Sequence, residues 1–236
     1  MILFSVLLAM HVAIGGVALA AGAMALAAPK GGLLHRRSGT VFLAAMLAMT
    51  SVAFLLALMH RDLISIVPAM LTFYLVASGW RTVKARTVSG IDHGLTVLAL
   101  AASATGYALG VHAAGMPSGM DDKGFPAAVY FVFATVALLA AGGDLYRLVA
   151  GPTRGLRRLA RHVWRMSVAM FVATTSLFQG QEQVFPKGLQ GSFWLQLPAF
   201  WVMAVAVWWL VRLALRMPPR PGARKAMAAG TLAADI

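Results

Sequence analysis

The sequence predicts an all-α fold: a polytopic membrane helix bundle of about seven transmembrane helices, N-terminus outside and C-terminus cytoplasmic. Three observations carry that expectation. Hydrophobic residues fill 60% of the 236 positions and charged residues only 11%, a balance that calls for lipid as the main solvent. The apolar residues gather into seven runs long enough to cross about 30 Å of hydrocarbon. The 20 Lys and Arg fall into alternate connections, 17 on one side and three on the other.

The runs lie near 2–28, 39–59, 63–80, 94–113, 126–146, 163–179 and 193–215, each bounded by charge, Gly or Pro. The first resembles a signal peptide at Ala25-Leu26-Ala27, but it lacks a basic start and its apolar run is too long. Cleavage there would also strand Lys30, Arg36 and Arg37 outside, so it is read as the first membrane helix. Gly16/Ala20 and Ala18/Gly22 give it small-residue faces, and Gly106/Gly110 give another to the fourth span, where backbones can approach closely. The third span is the shortest and holds Pro68; the fifth begins at Phe125-Pro126. In the sixth, Thr174, Thr175 and Ser176 precede Gln179 to Gln183, which either line an outward-facing polar site or are backbone-satisfying hydroxyls followed by a solvated loop, the favoured reading. Trp194, Trp201, Trp208 and Trp209 suit the last span to interfacial anchoring. The expected organisation is a seven-helix transmembrane domain over 1–216 and a disordered cytoplasmic tail over 217–236, rich in Pro, Gly, Ala and charge.

The basic side collects Lys30, Arg36, Arg37, Arg81, Lys84, Arg86, Arg147, Arg154, Arg157, Arg158, Arg161, Arg165, Arg212, Arg216 and the tail residues Arg220, Arg224 and Lys225, while Arg61, Lys123 and Lys187 face the other way. The formal charge of +13 is thus topological, and nucleic acid is not an expected partner. The absence of cysteine excludes disulfides, thiolate metal sites and cysteine nucleophiles. HExxH and GxSxG are absent, and the last span has no lysine for a retinal Schiff base, so no reaction is named and enzymatic activity stays open. No carboxylate is expected in any span, which disfavours a proton- or sodium-coupled carrier. Asp144 is expected to pair with a nearby Arg, with Arg147, three residues on, as its candidate.

Histidines are the most informative polar residues. His35, His93 and His162 open the second, fourth and sixth spans on the basic side; His60 and His112 close the second and fourth; His11 lies within the first, roughly 15 Å along it. Paired imidazoles from neighbouring membrane helices hold b-type haem, which makes His35 and His162 candidate iron ligands. Gly39, one turn after His35, leaves room for a flat ring or a second helix, and His11 stands in the same relation to Gly15. Arg36, Arg37, Arg161 and Arg165 are near enough in sequence to meet haem propionates or another anion. The bland alternative is equally concrete: helix-end histidines sit comfortably in the interface, and His11 makes a hydrogen bond across helices.

Leu34-His35-Arg36-Arg37-Ser38-Gly39, Gly143-Asp144-Leu145, Arg161-His162-Val163-Trp164-Arg165-Met166 and Gly180-Gln181 resemble the motifs of a family of multi-spanning bacterial membrane proteins with no established activity. The resemblance covers most of the chain and implies the bacterial inner membrane as location. More remotely, the histidine before Gly39 and the histidine before Trp164-Arg165-Met166 are similar to those of bis-histidine b-type membrane cytochromes, which implies haem b on His35 and His162. Three functions follow as expectations: a haem-binding or quinone-reactive redox protein with a quinone or redox partner, a small-solute transporter, or a non-catalytic membrane subunit or assembly factor.

Overall fold

The computed structural model describes residues 2–217 of the chain. Among the described residues the fold is all-helical, with seven α-helices: α1 Ile2–Ala27, α2 Leu33–Met59, α3 Leu63–Lys84, α4 Gly90–Gly115, α5 Ala127–Ala150, α6 Gly155–Phe178 and α7 Leu197–Leu215. A short 3-10 turn at Phe193–Gln196 leads into α7. Of the expected tail, all but Met217 lies outside the described residues.

Among the described residues, six helices are long and apolar enough to cross a membrane, which makes this a multi-pass membrane protein. The exception is α6, whose first half carries Arg157, Arg158, Arg161 and Arg165. At 24 residues it is nonetheless as long as its neighbours, about 36 Å. It packs against α3, α7 and α1, so its arginines need partners inside the bundle.

Several helices begin before their apolar runs do. α2 opens at Leu33, α4 at Gly90 and α6 at Gly155, because helical hydrogen bonding continues past the hydrocarbon into the charged turns of the basic end. His162 is therefore the eighth residue of α6 and sits two turns inside it, where the sequence places it at the helix start.

α3 is the axis of the bundle. It contacts α2, α4, α5 and α6, and half of its span is buried, against 6% of α1. Its small and hydroxyl residues make that possible: Ala69, Thr72, Ser78, Gly79 and Thr82 are buried or tightly packed, and the hydroxyls of Ser78 and Thr82 donate back to carbonyls one turn earlier. The seam between α4 and α5 is set by Gly106 and Gly110. A Cβ at Gly106 would come within 2.9 Å of Ala134 Cβ, and one at Gly110 within 2.7 Å of the Phe131 ring. On α1 only one of the two small-residue faces packs: Ala18 and Gly22 are buried, Gly22 against Met170 and Phe42, while Gly16 and Ala20 are exposed.

At the end opposite the arginines, Lys123 pairs with Asp62 at 2.7 Å and ties two loops together. Asp121 organises the turn between α4 and α5, accepting from the N–H groups of Lys123 (3.0 Å) and Phe125 (2.8 Å) and from the Tyr130 hydroxyl. Burial acts to raise the Asp121 carboxyl, but the Tyr130 and backbone hydrogen bonds outweigh it and hold the group below the usual carboxylate range.

Candidate functional site

Asp92 and Asp144, two of the seven acidic residues in the chain, are buried where α3, α4, α5 and α6 meet at the basic end. Asp92 stands three residues after Ser89, which caps α4, and accepts from the Ser89 N–H at 2.9 Å. Arg81 of α3 grips the same carboxylate in a two-point fork, Nε at 3.1 Å and Nη2 at 2.7 Å, and Arg147 of α5 donates to it from the other side.

Asp144 is the centre of a second, deeper cluster. It accepts from the Tyr74 hydroxyl, from Arg161, and from both terminal nitrogens of Arg165 at 3.1 and 3.3 Å. Arg165 is fully buried; it also donates to Ser78 and to the Ala140 carbonyl, and its guanidinium lies over the rings of Tyr74 and Trp164, about 5 Å from each. Arg161 reaches Thr82 at 3.0 Å.

This arrangement corrects two expectations. Asp144 pairs with Arg161 and Arg165, while Arg147 turns to Asp92; a partner on a facing helix closes a buried pair better than the neighbour one turn along. The bundle also does hold carboxylates within it. Each is matched by two guanidiniums. Spacing does not mark Asp92, Arg81 or Tyr74 as members of a cluster, though Ser89-Gly90-Ile91-Asp92 carries a capping-box pattern that places Asp92 at a helix start.

The clusters set the depth and rotation of α6, and so of His162, which lies between Arg161 and Arg165 in sequence. His162 Nδ1 is 3.0 Å from the Gly79 carbonyl of α3. His35 Nδ1 is 2.9 Å from the Ala25 carbonyl of α1, and His11 Nδ1 is 3.2 Å from the Met49 carbonyl of α2. A carbonyl only accepts, so in each ring Nδ1 carries the proton and the lone pair of the neutral imidazole is on Nε2. His35 on α2 and His162 on α6 stand on helices that both pack against α1 and α3.

The remaining candidates divide plainly. A Cβ at Gly39 would meet nothing within 4 Å, so the space beside α2 one turn from His35 is open. Arg36 is exposed, whereas Arg165 is engaged by Asp144, Ser78 and Ala140. His60 packs its ring against Phe4, His93 bonds the Ser89 carbonyl at an exposed position, and His112 is exposed. An apolar groove of about 380 Å³ runs between α1, α6 and α7, lined by Leu26, Met170 and Trp201 among others; neither His35 nor His162 lines it. Among the described residues, no group of three or more His, Cys, Asp or Glu is placed to hold a metal ion.

Compared with known families, curated proteins and solved structures, the chain matches none of them.

Proposed function

We propose that this chain is a redox protein of the bacterial inner membrane, its basic end cytoplasmic, that holds haem b through His35 and His162. One observation carries the reading: two imidazoles on different helices at the basic end, each with Nδ1–H tied to a backbone carbonyl and Nε2 left with its lone pair. Tying Nδ1–H to a carbonyl is how proteins orient a ligating histidine and select the nitrogen it offers. The donor set fits a low-spin haem, which takes neutral nitrogen ligands on both faces and an apolar surround. The open space at Gly39 and the partly buried apolar side chains of Trp164 and Met166 suit the edge of a flat ring.

A haem so ligated supplies one-electron transfer. The chain's own part is to orient the rings and to neutralise the propionates, and Arg36 and Arg37, both exposed and within two residues of His35, are the arginines open to them. Arg165, committed to Asp144, acts at one remove by holding α6 in place.

The test is an absorption spectrum of detergent-purified protein from haem-replete cells, oxidised and dithionite-reduced. A Soret band with sharp reduced α and β bands is expected, lost in H35N and in H162N. Asparagine keeps a donor for the Ala25 or Gly79 carbonyl but offers no imidazole, so a folded, colourless variant separates ligation from packing. A colourless native protein overturns the reading.

A further inference from the structure

Below the buried clusters, the basic end holds a second feature that the haem reading leaves unused. The α5–α6 link, Gly151 to Arg154, passes close to the end of α3, and between them Ala85, Arg86, Pro152, Thr153, Arg154 and Arg158 line a cavity of about 270 Å³. Gly151, at φ +86°, turns the chain out of α5 into this link, a backbone state that glycine adopts without strain.

Three of the six lining residues are arginines, and none of them belongs to an ion pair among the described residues. Nε of Arg158 is buried and has no hydrogen-bond partner. Arg154 precedes the first turn of α6 with extended backbone and gives no side-chain cap, so the first N–H groups of that helix lack a side-chain acceptor from it.

The clusters above supply no relief. They set four guanidiniums, Arg81, Arg147, Arg161 and Arg165, against two carboxylates, Asp92 and Asp144, an excess of two positive charges. Nε of Arg147 and Nε of Arg165 are likewise buried without partners. The helices carrying the excess lead to the cavity: Arg86 follows the end of α3 by two residues, and Arg158 lies one turn before Arg161 on α6. Unpaired guanidiniums converging on one space, beside a buried positive excess, call for an anion.

We propose that this cavity is an anion site for a phosphoryl group, held by Arg86, Arg154 and Arg158 at the membrane surface of the basic end. Guanidinium forks match the planar spacing of phosphoryl oxygens and hold them by paired, charge-assisted hydrogen bonds. The same chemistry is presented by the headgroup of an anionic phospholipid and by a free phosphate, and the place of the cavity, at the helix ends, is open to both.

Thermal unfolding of the full chain in phosphatidylcholine nanodiscs separates the sources. Inorganic phosphate is titrated against chloride at matched ionic strength, and in a second arm phosphatidylglycerol replaces part of the phosphatidylcholine. Stabilisation by phosphate, weakened about tenfold or more in R154Q and R158Q and unchanged in R157Q, marks a free anion as ligand. The same variant pattern with phosphatidylglycerol alone marks a lipid headgroup. Arg154 and Arg157 are both exposed and Arg157 does not line the cavity, so R154Q keeps the test open even if R158Q fails to fold. Stabilisation by neither, or an equal loss in R157Q, overturns the site.

Discussion

Arginine is the residue that decides this structure. Placing Arg165 in the bundle without a counter-charge would cost more than any packing gain nearby, and Asp144 with Tyr74, Ser78 and the Ala140 carbonyl is what offsets it. Asp144→Asn removes the charge that Arg161 and Arg165 share, and about 3 kcal/mol or more of stability should go with it, read as a lowered midpoint of thermal or denaturant unfolding in detergent. Tyr74→Phe leaves the guanidiniums paired and deletes one donor, so about 1 kcal/mol is expected. Equal effects from the two would show that the hydroxyl, not the charge pairing, organises the cluster. At this scale the sequence was only half legible. His11, His35 and His162 could be marked from their positions alone, because a polar residue in or near an apolar run stands out. Which arginine meets Asp144 could not, since nearness along the chain says nothing about which helix will face it.

Helices were legible as apolar runs, and their ends were not, because charged turns such as Arg154 to Arg158 extend α6 beyond the hydrocarbon without breaking its hydrogen bonding. Small-residue faces are a similar case: α1 carries two, and composition does not distinguish the face that packs. Gly22 meets Met170 and Phe42 while Gly16 meets nothing within 4 Å. Gly22→Leu should therefore destabilise by about 1–3 kcal/mol through overpacking, and Gly16→Leu should be close to neutral, both judged by unfolding midpoints. A harmful Gly16→Leu would mean that the exposed face of α1 is covered by another chain. The α4–α5 turn makes a pH-dependent counterpart. Asp121 has its carboxyl held low in the folded state, so its contribution is present above the ordinary carboxylate range of about 4 and fades as pH falls through the lower folded value. Nicking by pepsin near Phe125 should rise between about pH 4 and pH 2, and in Asp121→Asn it should be high throughout that range. A native turn equally resistant across it would remove the carboxylate from the account.

For the whole molecule, alternation of seven helices puts the α1–α2, α3–α4 and α5–α6 links and the end of α7 on one face, and that face holds the arginine clusters, the phosphoryl cavity and Lys30. Lys30 shows how the face is stitched together: its ammonium caps the end of α1 through the Ala25 and Leu26 carbonyls and lies 5.5 Å from the Trp209 ring of α7. Burial pushes the Lys30 ammonium down from its ordinary value, yet three carbonyls remain as acceptors for it. The excess of Lys and Arg in short links argues that this face is retained in the cytoplasm. That orientation matters for both proposals, since it would place His35, His162 and the anion cavity toward cytoplasmic electron donors and phosphates. The chain has no cysteine, so single introduced thiols report it without background. Asp122→Cys, in the α4–α5 turn, should react with a membrane-impermeant maleimide in right-side-out vesicles. Arg157→Cys, exposed at the start of α6, should react only in inverted or permeabilised ones. The reverse pattern would turn the molecule over and move both sites to the outer surface. Labelling of both thiols in sealed vesicles would break the alternation itself, and the helix most exposed to that outcome is α6, whose arginines can cross a bilayer only if they are matched inside the bundle.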